Sequence, residues 1–166
     1  MPQHLSAGIL LFRENDHNQL EVLIVHPGGP YWASKDAGAW SIPKGEYASG
    51  DEPFAAAERE FNEEVGLALP SSEPLSLGYI RQHGGKRVTA WAVRGDVDVN
   101  RASSNNFEME WPPGSGRTRS FPEVDRVGWF GIDEARGKLL KAQALFLDRL
   151  VEVLSGHSDG GVTSRP

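Results

Sequence analysis

The stretch from Gly45 to Leu67 constrains the fold of this chain most, because its second half predicts an amphipathic helix. Phe54, Glu58, Phe61 and Val65 recur at near-helical spacing, and apart from Glu58 they form the apolar stripe of that helix. Asp51 can cap the helix, Pro53 falls in its first turn, and Gly66 stands where helices commonly end. The helix should therefore bury one face and leave the other open.

The open face of this helix carries three carboxylates, Glu60, Glu63 and Glu64, at i, i+3 and i+4. Like charges at this spacing destabilise an isolated helix by about 0.2–0.5 kcal/mol per pair, and Arg59 can relieve part of the repulsion by pairing with Glu63. A run of charges on a helix is most often a solvated face. The repulsion that remains instead indicates a bound cation, and hard divalent ions take carboxylate oxygens together with substrate phosphates.

The wider pattern decides between these interpretations, because it resembles the signature of the Nudix hydrolases. That signature is a glycine, five residues, a glutamate, seven residues and then Arg-Glu-U-x-Glu-Glu-x-Gly-U, with U a bulky apolar residue. The positions in register are Gly45, Arg59, Glu60, Phe61, Glu63, Glu64, Gly66 and Leu67. Six fixed residues at average frequencies of about 5–7% coincide roughly once in 10⁷ start positions. Asp51 departs from the first glutamate, and Phe61 replaces the usual aliphatic residue.

The resemblance implies an α/β fold, a Nudix-type α/β/α sandwich with a mixed β-sheet. We expect one domain over residues 1–155 and a flexible tail over 156–166. The implied activity is Mg²⁺-dependent hydrolysis, with Mn²⁺ as a substitute, of a phosphoanhydride in a nucleoside diphosphate linked to another moiety. The lead-in from Trp40 to Gly45 resembles the branch that includes dinucleoside polyphosphate and nucleoside triphosphate pyrophosphohydrolases. The alternatives are an ADP-sugar pyrophosphatase acting on ADP-ribose and a non-catalytic nucleotide-binding regulator.

The resemblance also assigns roles to individual residues. The metal ligands would be the carbonyl of Gly45 and the carboxylates of Glu60, Glu63, Glu64 and Glu123. Glu123 lies six residues before Trp129 in a stretch similar to the late Nudix strand, and Asp125 is the alternative to it. The general base is Glu60 or Glu123, and Arg59 orients the carboxylates. The candidates for binding substrate phosphates are Lys44 and, around the Gly84-Gly85 turn, Arg81, Lys86 and Arg87, although exposed basic side chains at a hairpin tip are also common.

Composition excludes several other classes of function. The net charge is −6 and no basic run is long, so we expect a small nucleotide as substrate and no nucleic-acid polymer as partner. The chain has no cysteine, which excludes disulfides, a thiol nucleophile and zinc–thiolate sites. The N-terminal apolar run is too short for a secretory signal or a membrane span, so we expect a cytoplasmic protein without a membrane partner. The oligomeric state is left open.

Hydrophobic patterning outside the signature predicts a succession of strands followed by helices. We expect strands at residues 5–13, 20–26, 74–83, 86–94, 107–111 and 121–130, and helices at 132–139 and 141–154. In the last helix, the predicted core residues are Leu145, Leu147, Leu150, Val151 and Leu154.

Overall fold

The computed structural model of the chain describes residues 4–158 and contains one large β-sheet, a separate hairpin and three α-helices. The strands are β1 (Leu5–Glu14), β2 (Leu20–Pro27), β3 (Lys44–Glu46), β4 (Leu75–Arg81), β5 (Arg87–Arg94), β6 (Asn106–Glu110), β7 (Thr118–Pro122) and β8 (Val124–Gly131). The helices are α1 (Pro53–Val65), α2 (Ile132–Lys138) and α3 (Ala144–Ser158). None of these described helices is long and apolar enough to cross a membrane.

The large sheet has the order β4-β5-β1-β2-β8, and β3 also pairs with β1. Strands β1 and β5 run parallel, whereas the other neighbours are antiparallel. Alternate residues of β1 and β2 point to opposite faces of the sheet, and both faces are buried. One face packs against α1 and the other against α2 and α3. The predicted α/β/α sandwich with a mixed sheet is therefore confirmed.

The N-terminus of α1 is capped one residue later than the sequence predicts. The Ala55 N–H donates to the carboxylate of Glu52 at 2.9 Å, whereas Asp51 accepts from the Ala48 N–H at 3.1 Å, within the preceding turn. The helix begins with Pro53 directly after its cap, and it ends at Gly66, whose φ of +77° favours glycine. The prediction of Asp51 as cap was wrong because two adjacent acids compete for one position.

We expect Glu52→Ala to lower the free energy of unfolding by about 1 kcal/mol, because it removes the side chain that satisfies an orphan N–H of α1. Chemical denaturation of both proteins measures this difference. The matched control is Asp51→Ala, which we expect to change stability by less than about 0.5 kcal/mol. A larger loss for Asp51→Ala than for Glu52→Ala would contradict the assignment of the cap.

Helix α3 buries Leu147 and Leu150 as predicted and packs Leu154 partly buried against the same core, but two of the predicted core residues are exposed. Phe146, Leu147 and Leu150 are fully buried, whereas Leu145 is 48% exposed and Val151 is 44% exposed. A short 3₁₀ turn over Lys141–Gln143 precedes the helix, where the sequence predicts a continuous helix from residue 141. Helix α3 reaches Ser158, beyond the predicted domain end at residue 155, and the rest of the predicted tail lies outside the described residues.

Strands β6 and β7 form a two-stranded hairpin separate from the main sheet. The single strand predicted over 121–130 is divided between the end of β7 and β8. Phe107 and Phe121 lie opposite each other in this hairpin, with ring centroids 6.0 Å apart. The hairpin packs against the loop after β2, where Tyr31 meets Trp111 edge-on at 5.3 Å. The segment between β5 and β8 thus contributes a hairpin that lies against the loop over residues 27–39.

Candidate active site

The short strand β3 holds the residues before the signature helix directly beside that helix. It pairs with β1, with Gly45 opposite Ala7. The Lys44 N–H donates to the carboxylate of Glu64 at 3.3 Å. A Cβ atom added to Gly45 would overlap the carboxylate of Glu60, so only glycine leaves room for that side chain. The carboxylates of Glu60 and Glu64 therefore contact the backbone of β3.

The carboxylates of α1 hold their negative charge in an unfavourable environment. Burial raises the pKa of Glu64 to about 8, and the charge of neighbouring Glu60 is the second cause of this rise. Burial also raises the pKa of Glu60, with the charge of Glu63 as the second cause and Arg59 acting in the opposite direction. Because the negative charges of these glutamates repel one another, a cation bound at this face would stabilise their ionised forms.

Glu123 joins this cluster through a chain of backbone hydrogen bonds. Its N–H donates to the Asn105 carbonyl at 2.8 Å, and the Asn105 N–H donates to the Glu63 carbonyl of α1 at 3.2 Å. The Glu123 carbonyl accepts from the Gly28 N–H at 3.0 Å. The Glu123 carboxylate is close enough to raise the pKa of both Glu60 and Glu64, as a smaller cause in each case.

The alternative acid, Asp125, has another partner. Its carboxylate lies 2.7 Å from Nδ1 of the fully buried His26. Nε2 of His26 lies 2.6 Å from the Lys35 carbonyl, in the loop over residues 27–39. His26 therefore connects this loop to the start of β8 through two hydrogen bonds, and the Asp125 carboxylate takes part in one of them. This arrangement favours Glu123 over Asp125 as the fourth acid of the site.

The predicted cations lie at different distances from the carboxylates. The Lys44 side chain is close to Glu64, and burial lowers its pKa, with the charge of Lys86 as the second cause. Lys86 lies 3.9 Å from Glu46. Arg87 lies over the Tyr79 ring, 4.0 Å from its centroid, with Arg81 directly opposite on β4. Among the described residues, neither arginine forms an ion pair with an acid of α1 or with Glu123.

Arg59 contacts a different carboxylate from the one expected. Its guanidinium lies 3.5 Å from Glu60, its neighbour in sequence, and the ion pairs of the described residues do not include the expected one with Glu63. The Arg59 side chain is half exposed, so the charge it offers to Glu60 is partly screened by water. Arg59 can still orient Glu60.

A cavity of about 210 Å³ opens beside the carboxylates. Lys44, Glu64 and Glu123 form its charged end. The rest of its lining is mostly apolar and consists of Val25, Pro27, Trp32, Ala39, Ser41, Val124 and Leu140. Apolar walls with a few charged groups at one end are typical of a small-molecule site. Arg81, Lys86 and Arg87 are not among the described lining residues.

The donor set at the charged end suits a hard divalent ion. In the part of the chain that the structure describes, no three Asp, Glu, His or Cys side chains already converge on one point. The fit lies instead in the chemistry of Glu60, Glu64 and Glu123, whose oxygens repel each other, and in the glycine that lets Glu60 approach the β3 backbone. Mg²⁺ commonly takes only one or two carboxylates and completes its shell with water and substrate phosphates.

The protein is an α/β sandwich with a mixed sheet, in which an acidic helix lies beside a small cavity. Comparison with known families shows which family has this arrangement. The NUDIX domain family model matches residues 2–151. The chain belongs to this family, so the predicted relationship is confirmed. It is a Nudix hydrolase, and use of divalent metal ions is typical of that family.

Solved structures show the same fold at low sequence identity. An Ap4A hydrolase of C. elegans in a binary complex is 18% identical, covers 92% of this chain and 98% of its own, and superposes with a TM-score of 0.63. The NUDIX domain of Shewanella oneidensis NrtR, complexed with ADP ribose, is 18% identical, with coverages of 93% and 90% and a TM-score of 0.60. A Nudix hydrolase from M. smegmatis, RenU, is 23% identical, with coverages of 99% and 90% and a TM-score of 0.53. No curated protein sequence matches the chain.

Sequence reasoning missed the role of two residues in the cavity region. Ser41 lines the cavity, and His26 anchors the loop that carries Trp32. The position of His26, at the end of an apolar strand and before a Gly/Pro loop, was the available signal. Each side chain has one partner about 100 positions away, Gln143 for Ser41 and Asp125 for His26, and for that reason their roles could not be predicted locally.

Proposed function

We propose that this chain catalyses Mg²⁺-dependent hydrolysis of a phosphoanhydride bond in a nucleoside triphosphate or a dinucleoside polyphosphate. The observation that carries the proposal is the junction of Glu64 and Glu123 with Lys44 in the lining of a largely apolar cavity, with the charge of Glu60 acting on Glu64. The structural likeness to an Ap4A hydrolase adds support. The cytoplasmic location, the lack of a polynucleotide partner and the use of Mn²⁺ in place of Mg²⁺ stay predictions.

In this mechanism the acids of α1 and Glu123 would hold the metal, and the Gly45 carbonyl would be a further oxygen ligand. A divalent ion neutralises charge on the phosphate oxygens and lowers the pKa of a bound water. Lys44 binds a substrate phosphate as a point charge. Arg59 holds Glu60 in place, and the group that accepts the proton of the attacking water is Glu60 or Glu123.

A second candidate substrate is ADP-ribose. The observation that favours it is the NrtR NUDIX domain, which superposes over nearly the whole chain and was crystallised with that ligand. ADP-ribose offers the same charged diphosphate to the acids of α1, so the charged end of the cavity does not discriminate between the two substrate classes. Only measured turnover separates them.

The test is an assay of the purified chain with Mg²⁺ against ATP, GTP, Ap4A and ADP-ribose, with products identified by phosphorus NMR. We expect the highest kcat/KM for a triphosphate or Ap4A and loss of turnover in EDTA. Preferential cleavage of ADP-ribose would support the second candidate. Absence of turnover for all four, with Mg²⁺ or Mn²⁺, would overturn the proposal.

Metal binding should release protons at pH 7. Because the pKa of Glu64 lies near 8 in the metal-free chain, its carboxyl is mostly protonated at that pH, and a bound divalent ion displaces the proton. Calorimetric titration with Mg²⁺ in two buffers of different ionisation enthalpy measures the number released, which we expect to approach one and to fall with rising pH. The control is Glu64→Gln, in which this release should be much smaller. Equal release by both proteins would contradict the role of Glu64.

A further inference from the structure

The apolar part of the cavity contains one uncharged polar group in a defined setting. Apart from the indole N–H of Trp32, Ser41 carries the only uncharged polar side-chain group among the described lining residues. Ser41 lies in the segment that joins the 27–39 loop to β3, and its backbone pairs with Val25 of β2. Its hydroxyl is therefore held on a fixed backbone beside the sheet.

Fully buried Gln143 determines how the Ser41 hydroxyl is used. The Ile42 N–H donates to Oε1 of Gln143 at 2.9 Å, and since a backbone N–H can only donate, this bond fixes the orientation of the amide. Nε2 of Gln143 then donates to the Ser41 hydroxyl at 3.1 Å and to Oε1 of Gln82 at 2.7 Å. The Ser41 hydroxyl thus accepts one hydrogen bond from the protein.

The single proton of the Ser41 hydroxyl is also committed. The hydroxyl donates to the carbonyl of buried Ile42 at 2.7 Å. Rotating it toward a ligand would leave that buried carbonyl without its donor, which is unfavourable. A hydroxyl has one proton and two lone pairs, so the remaining capacity is one lone pair. Toward an occupant of the cavity, the Ser41 hydroxyl can therefore act only as a hydrogen-bond acceptor.

The size and walls of the cavity restrict what this acceptor can meet. Its volume of about 210 Å³ lies below the range of about 300–1,000 Å³ for sites that enclose drug-sized ligands, so it holds one ring system. Trp32, which is 37% exposed, offers an aromatic surface at the wall, and Lys35 Nζ lies 5.4 Å from its ring centroid. Aromatic surfaces stack well on planar rings.

We infer that the cavity binds a nucleobase with an exocyclic amino group in the position found in adenine and cytosine, which donates to Ser41 while Trp32 stacks on the ring. This inference rests on the proposed function, since the phosphates must reach the acids of α1. Hypoxanthine and uracil carry a carbonyl oxygen at the same position. That oxygen would face the Ser41 lone pair, and neither group could donate to the other.

The first test measures binding without hydrolysis. AMP and IMP, which differ in the amino and keto groups, are titrated calorimetrically into the wild-type chain, into Ser41→Ala and into the control Ser34→Ala, an exposed serine of the 27–39 loop. We expect AMP to bind about 10-fold more tightly than IMP to the wild type and Ser34→Ala, and within about twofold of IMP to Ser41→Ala. Equal binding of AMP and IMP by the wild type would overturn the inference.

The second test compares hydrolysis of ATP with ITP and of CTP with UTP. We expect the amino member of each pair to have about 10-fold higher kcat/KM, mainly through KM, and Ser41→Ala to remove the preference. Trp32→Leu should raise KM for all four, whereas Tyr31→Leu, outside the cavity lining, should not. Discrimination between AMP and IMP without any hydrolysis would overturn the proposed function and support the base site. Hydrolysis of all four triphosphates at equal kcat/KM would support the proposed function and overturn the base site.

Discussion

Replacing Glu64 with glutamine should lower kcat/KM by about 10²- to 10³-fold while leaving the fold intact, because the variant loses a charged ligand at the site where phosphate charge is stabilised. The introduced amide keeps the shape of the side chain, and its oxygen can still accept from the Lys44 N–H. Steady-state kinetics across Mg²⁺ concentrations measures the loss. We expect it at saturating Mg²⁺ as well as at low Mg²⁺.

In the absence of metal, the same variant should be more stable than the wild type at high pH, although it is less active. In the metal-free chain the folded pKa of Glu64, about 8, lies above the ordinary value of 4.5 that applies after unfolding. The folded state therefore binds the proton more tightly, and its stability falls as pH rises from about 4.5 through 8. Glutamine does not ionise, so Glu64→Gln should lose less stability over this range than the wild type.

Thermal unfolding in EDTA at pH 5 and pH 8 measures the loss of stability of the wild type and of Glu64→Gln over this range. The matched control is Glu58→Gln, since Glu58 is an exposed acid of the same helix. We expect Glu58→Gln to follow the wild type in both activity and pH dependence. Near-native turnover of Glu64→Gln with Mg²⁺ would contradict the role of Glu64 in metal binding. An unchanged pH slope would contradict its burial as a protonated acid.

The parts of this molecule that sequence predicted correctly depend on local chemistry. Helix α1 has its proline, its apolar spacing and its terminal glycine within a few residues of one another, so its existence and its end at Gly66 could be predicted. The predicted position of the N-cap was wrong by one residue, because the carboxylates of Asp51 and Glu52 are both suitable acceptors. The hairpin of β4 and β5 was predictable for the same reason, since Gly84 and Gly85 mark its turn.

The cavity could not be predicted in this way, because its walls depend on contacts between distant segments. His26 and Asp125 are 99 positions apart, and Gln143 is 101 positions from the Ile42 N–H that orients it. The side chains of Arg81 and Arg87 were expected to bind phosphate from their charge alone. Their neighbour Tyr79 and their pairing across β4 and β5 hold them elsewhere, which no local pattern indicates.

Gly45→Ala should reduce kcat/KM by about 10²-fold, because the added methyl group overlaps the Glu60 carboxylate and displaces a group of the site by the order of an ångström. The displaced atoms belong to the end of a flexible side chain, so we expect the free energy of unfolding to change by less than about 1 kcal/mol. Kinetics and denaturation measure the two effects separately. The matched control is Gly137→Ala in α2, where an added Cβ meets no atom within 4 Å and should leave activity unchanged.

A double-mutant cycle identifies the cause of the Gly45→Ala loss. If the methyl group acts by displacing Glu60, then Gly45→Ala should have almost no further effect in a Glu60→Ala background, where the obstructing carboxylate is gone. The two substitutions would then be strongly non-additive in kcat/KM. An equal loss in both backgrounds would show that Gly45 acts through the β3 backbone or its carbonyl instead. The cycle therefore separates the space that glycine provides for Glu60 from any direct role of the glycine itself.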